Sequence, residues 1–247
     1  MDLNISLSPD ILFYIGSFPV SNTFFWSVIL TIILLVFFVG IGQRMKSVPS
    51  TSQNIVEILI SEAYSFVEST VGSQEKAKRI FPLVVTMFIF IVVANLAVFI
   101  PGQSAFNLNK PDGPVAIFRS VMSDYGLVLM MTLVTVIITQ IVAVAVNGPF
   151  RYIGRFISFK SPLGFFLGIM DLIGEVAKIV SLSFRLFGNI FAGEVLGMVM
   201  LFLAPFFIPL PFLFLGLLTA LVQAFVFSVL TLVFISMASE IEGQESN

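Results

Sequence analysis

Ser181 to Leu196 reads SLSFRLFGNIFAGEVL and sets an arginine, an asparagine and a glutamate inside a run otherwise suited to lipid. A charge at the centre of a membrane helix costs about 2.5 to 3.5 kcal/mol on insertion scales, so Arg185 needs a compensating role. On a helix advancing 100° per residue, Asp171, Glu175, Lys178, Arg185 and Asn189 follow one another at steps of three, four or seven and form one polar stripe. Glu194 lies off that stripe. Nine residues beyond Arg185 is about 900°, half a turn once whole turns are removed, so the acid points to the opposite face. One helix therefore offers a cation to one environment and an acid to another.

The apolar run around this stretch extends from Leu163 to about Leu203. As a helix it would be about 60 Å long, twice the hydrocarbon thickness, so it must tilt strongly, kink or leave the bilayer. A second oversized run covers 210–240, and Pro205, Pro209 and Pro211 mark the turn between the two. Two long helices joined by a short hinge predict an antiparallel hairpin.

The rest of the composition agrees with a membrane setting. Hydrophobic residues make up 58% of the 247-residue chain and charged residues 11%, against about 25% charged in an ordinary soluble domain. The net charge of -2 and the lack of a basic tract with interleaved aromatics give no sign of nucleic-acid binding. Cysteine and histidine are both absent, which excludes disulfides, thiol chemistry, the usual zinc sites and a histidine proton shuttle. No cofactor or metal is expected. No GxxxxGK[ST] phosphate loop occurs, so the chain gives no sign of nucleotide chemistry of its own. Asp2 and Asp10 stand where a signal peptide would be basic, and no removable leader is read.

In chain order, 1–21 is an outer lead holding Pro9 and Pro19, and 22–46 is a first span closed by Arg44 and Lys46. Residues 52–72 place apolar side chains at 55, 59, 63, 66, 67 and 70 against Glu57, Glu62 and Glu68, the spacing of an amphipathic helix on the membrane surface or against a partner protein. A second span covers 79–100 and ends at Pro101-Gly102; a loop with turn chemistry at Pro111-Asp112-Gly113-Pro114 leads to a third span at 124–146, stopped by Asn147-Gly148-Pro149. The whole is read as one all-α polytopic membrane domain, 1–247: three ordinary spans, one surface amphipathic helix, and a hairpin of long, strongly tilted helices at 163–203 and 210–240. Loops on one side carry Arg44, Lys46, Lys76, Lys78, Arg79, Arg151, Arg155 and Lys160, while those on the other carry Lys110 and Arg119. The positive-inside rule then puts the N-terminus outside and the C-terminus in the cytoplasm.

The segment around Arg185 closely resembles the core motif of the a subunit of bacterial F-type ATP synthases. The match continues through Leu221-Val222-Gln223-Ala224-Phe225-Val226-Phe227 and the ending Ser236-Met237-Ala238-Ser239-Glu240. It is dense over the last third and rests on hydropathy layout over the first two thirds. The resemblance implies a membrane stator beside a rotating c-ring, with peripheral-stalk b subunits, the soluble F1 ATPase and membrane lipid as its other partners, in the bacterial plasma membrane. It implies that the hairpin helices lie steeply inclined and wrap the ring. It also implies roles in ion translocation for Arg185, Glu194, Asn189, Gln223 and Asp171, Asp171 standing where the family has an acid of its inner exit path. Some relatives carry a histidine or acid seven residues before the motif glutamine; here that place is Gly216.

Each of these residues has a plainer reading. Arg185 would snorkel to a headgroup, but it lies about 20 residues from either end of its helix. Glu175 and Lys178, at i,i+3, suit an ion pair, which Asp171 would join. Asn189 suits an interhelical hydrogen bond, and Gly216, Thr219 and Gln223 share a small, polar face that close packing alone would explain. Glu194 has no evident partner in sequence, and Asp124 stands at the outer mouth. The functional expectation is a stator with two offset half-channels, loading and unloading ions, most naturally protons, on the c-ring. The alternative is a self-contained ion channel or secondary transporter, whose buried charges would pair internally.

Overall fold

The computed structural model describes residues 9–46, 49–99, 106–110, 113–148, 152, 162–203, 207 and 209–240. The stop at Pro101-Gly102, the turn centre at Pro111-Asp112, Pro149, the cations Arg151, Arg155 and Lys160, the hinge residue Pro205 and the extreme C-terminus lie outside them.

Among the described residues the architecture is a bundle of helices with two short antiparallel β-hairpins at one end. The first hairpin pairs β1 (Ile11–Ile15) with β2 (Phe18–Ser21) across Gly16, whose φ of 64° belongs to the left-handed region open to glycine. It leads directly into α1 (Asn22–Arg44), where the Ser21 side chain caps the helix by accepting from the Phe24 amide. Ser50 caps α2 (Thr51–Val71) in the same way, and Gly72, at φ 71°, ends it. The chain re-enters a helix at once, so α3 (Gln74–Ala97) starts five residues before the expected span. Lys76, Lys78 and Arg79 are therefore in its first turns rather than in a loop. The cause is local: Glu75 stands where the helix dipole favours an acid, and Ala77 and Ile80 are buried with Val67 and Val71 of α2.

A second hairpin pairs β3 (Asn107–Lys110) with β4 (Gly113–Ala116), and a 3₁₀ turn at Val121–Ser123 precedes α4 (Tyr125–Asn147). The two long helices follow as α5 (Pro162–Leu203) and α6 (Pro209–Glu240). Each begins on a proline, tolerated there because a first-turn N–H has no helical acceptor. Five helices, α1 and α3 to α6, are long and apolar enough to cross a membrane. Among the described residues the strands are confined to the two small hairpins of an otherwise helical chain.

The core lies where α3, α5 and α6 meet. Ile91, Leu182, Leu186, Ala220, Ala224 and Phe227 are buried there together with Met122 of the 3₁₀ turn. The alanines keep α6 slim enough for Asn95 of α3 to donate its Nδ2–H to the Ala220 carbonyl at 3.1 Å. Thr132, Thr135 and Thr139 of α4 and Ser183 of α5 turn their hydroxyls back onto carbonyls four residues earlier, which satisfies them without water. In α2, Val67 and Val71 are buried, whereas Ile55, Ile58 and Leu59 are exposed. Its apolar stripe is thus covered only toward its C-terminal end.

Candidate functional site

Three contacts fix the α5–α6 register. Asn189 Nδ2 donates to Gln223 Oε1 at 2.7 Å, Lys178 Nζ lies 5.1 Å from the Phe234 ring centre, and a side chain built on Gly197 would meet Leu213. Numbers fall on one helix as they rise on the other, so the pair is antiparallel, as its length and prolines predict.

Arg185 is exposed on α5, and among the described residues its hydrogen-bond partner is Ser181 Oγ, one turn earlier, at 3.4 Å. It lines a cavity of about 270 Å³ between α5 and α6, together with Gly174, Ala177, Lys178 and Phe234. Among the described residues no acid lines this cavity. On the helix surface Ser181 and Gly188 stand at i−4 and i+3 from Arg185, and Gly188 has open space where a side chain would stand. The guanidinium is therefore reachable by another molecule's side chain.

Glu194 opens onto a different cavity, about 410 Å³, between α3, α5 and α6. Asn189, Gly193, Gly216, Asn95 and Phe99 line it as well. The half-turn offset read from the sequence is thus realised as two separate cavities. Asn189, which the helical stripe grouped with Arg185, belongs to the Glu194 side. Gln223 is 4% exposed and is held by Asn189, while its Nε2 has no hydrogen-bond partner among the described residues. The Asn95 Oδ1 is likewise unsatisfied. A buried amide atom with no partner carries a desolvation cost of about 1 to 3 kcal/mol, which a water entering the adjoining cavity would relieve.

Other candidates have structural employment. Glu175 Oε1 lies 2.7 Å from Lys178 Nζ, and its Oε2 accepts from Gln140 Nε2 of α4 at 2.8 Å. Asp171 does not line the Arg185 cavity. Asp124 is 7% exposed; its Oδ1 caps α4 at the Gly126 amide, 2.8 Å, and its Oδ2 accepts from Thr23 Oγ1 at 2.6 Å. It is a cap and a tie to α1, with both oxygens engaged. Thr219 Oγ1 donates to the Leu215 carbonyl and joins no polar chain.

Asn95 and Gln140 were missed in the sequence. Each is a lone amide in an apolar span, and the cost argument that singled out Arg185 applies to them more weakly because they are uncharged.

The architecture and paired cavities define an integral membrane protein built around a long helical hairpin with a reachable, acid-free cation. The chain belongs to the ATP synthase A chain family, whose profile matches residues 24–236, and it is thereby a membrane-sector component of an F-type ATP synthase of bacterial type, engaged in ATP synthesis and ion transport. It is 32% identical to ATP synthase subunit a of Moorella thermoacetica over 92% of this chain and 95% of the relative. It is 33% identical to the same subunit of Campylobacter concisus, over 90% and 91%, and 35% identical to that of Geobacter sulfurreducens, over 80% and 79%.

Proposed function

We propose that this chain is the non-catalytic stator that passes ions to and from a c-ring through two offset half-channels. The outer one is the cavity of Glu194, Asn189, Asn95 and Gly216, continued by Gln223; the inner one runs past Asp171; Arg185 separates them at the rotor contact. The N-terminus is outside and the C-terminus cytoplasmic, in a bacterial plasma membrane, with b subunits holding the stator and F1 performing the ATP chemistry. The inclination of α5 and α6 along the ring belongs to the same reading.

The observation that carries the proposal is Arg185 itself, a membrane-helix cation with Ser181 as its hydrogen-bond partner among the described residues and no acid in its cavity. A self-contained channel or transporter would neutralise such a charge internally. A stator leaves it for a passing carboxylate. A guanidinium stays charged at any physiological pH and favours the ionised form of a carboxylate within about 4 to 6 Å, so each ring acid sheds its ion before passing. The same charge repels cations from the seam between the half-channels. Cross-linking from cysteines at Ser181 and Gly188 tests the contact. Adducts to a c-ring chain are expected; adducts to lipid alone would contradict it.

A further inference from the structure

Lys178 and Arg185 line one cavity, two helical turns apart, about 10 Å along α5. An ionised rotor carboxylate moving along this wall would meet both cations, and an ammonium within about 4 Å in partly buried surroundings holds a carboxylate strongly. Lys178 would then compete with Arg185 and stall the rotor at the wrong place.

The local geometry removes that competition. Glu175 lies 2.7 Å from Lys178 Nζ, with side-chain exposures of 16% and 33% respectively. Its second oxygen is fixed by Gln140 Nε2 of α4 at 2.8 Å, and the ammonium is steadied by the Phe234 ring of α6. Three helices thus converge on one ion pair whose lysine lines the cavity and whose acid does not. We infer that Glu175, oriented by Gln140, neutralises Lys178 so that a rotor carboxylate crossing this cavity meets a single uncompensated charge, Arg185. Glu175 and Gln140 are positioning residues that act through Lys178. The pair leaves the wall polar without net charge, so it holds water beside Arg185 without capturing the rotor acid. This rests on the stator reading above.

The test uses assembled complexes in energised vesicles, comparing ATP synthesis in Glu175→Gln, in Glu175→Gln with Lys178→Gln, and in Arg185→Ala. Unmasking Lys178 in Glu175→Gln is expected to slow synthesis about tenfold, and removing the unmasked ammonium in the double variant to restore it to within about twofold of the unmutated rate. A double variant as slow as Glu175→Gln would mean a merely structural tie and overturn the inference, as would undiminished synthesis in Glu175→Gln. Should Glu175→Gln fail to copurify with the ring, Gln140→Met loosens the same acid without removing a charge, and the same relief by Lys178→Gln is expected; no relief overturns the inference. Arg185→Ala separates the two levels. Retained synthesis there sinks the stator reading, whereas its loss together with an unrelieved Glu175→Gln sinks this inference alone.

Discussion

Asn189 and Gln223 join the two long helices side chain to side chain, Nδ2 to Oε1 at 2.7 Å, one turn along α5 from Arg185. The contact ties the register of the hairpin to the position of the arginine. Interhelical hydrogen bonds in membranes average about 0.6 kcal/mol and reach about 1.7. A double-mutant cycle with Asn189→Leu and Gln223→Leu, read as thermal stability of the purified complex, is expected to give a coupling energy in that range. Strict additivity would mean that the pair does not form.

The Glu194 cavity yields a rescue experiment. Glu194→Gln is expected to impair ion entry from outside, and Glu194→Asp to retain more activity. Gly216 lines the same cavity of about 410 Å³, and among the described residues a Cβ added there meets the Phe99 ring at 3.5 Å. That is ordinary van der Waals contact, so Gly216→Asp or Gly216→His has room and is expected to restore part of the pumping lost in Glu194→Gln. Unchanged pumping in Glu194→Gln membranes would remove the acid from the path.

Asp124 is distinguished by its two bonds rather than by its charge. The Oδ1 of an asparagine can accept from the Gly126 amide while its Nδ2 donates to Thr23 Oγ1, whose hydroxyl turns to Ser21 Oγ, so Asp124→Asn is expected to leave ion pumping and stability near normal. Asp124→Ala loses the cap and the tie to α1 and is expected to cost about 0.5 to 2 kcal/mol, seen as a lowered melting temperature. Pumping lost in Asp124→Asn at unchanged stability would return Asp124 to the ion path.

The orientation proposed from the cation asymmetry is open to direct labelling. The chain has no cysteine, so single cysteines report cleanly. One at Lys110 is expected to label from outside and one at Arg155 from inside. The reverse pattern would exchange the outer and inner half-channels.

The helices were legible because membrane burial writes itself as long apolar runs, and the α5–α6 hairpin because its two runs exceed any bilayer. Arg185 and Glu194 were separable by counting residues at 100° each. Asn189 was placed with Arg185 by the same counting, and tertiary contact with Gln223 draws it to the other cavity. The hairpins at Ile11–Ser21 and Asn107–Ala116, one inside the outer lead and one inside the loop before the third span, leave little trace in the sequence, since short strands near prolines carry little periodicity. The early start of α3 escaped because charged first turns resemble a loop unless the Gly72 cap and the buried Ala77 are known. Gln140 pairs with Glu175 across 35 positions, a distance over which spacing rules say nothing.

The central claim is that Arg185 forces each rotor carboxylate to release its ion. It is tested most directly by ATP synthesis in energised vesicles carrying assembled Arg185→Ala complexes, with hydrolysis by the detached soluble part measured alongside. The account predicts no synthesis, intact hydrolysis and a passive ion leak, with poor rescue by Arg185→Lys, whose ammonium lacks the planar fork. Synthesis near the unmutated rate would contradict it and favour a self-contained transporter.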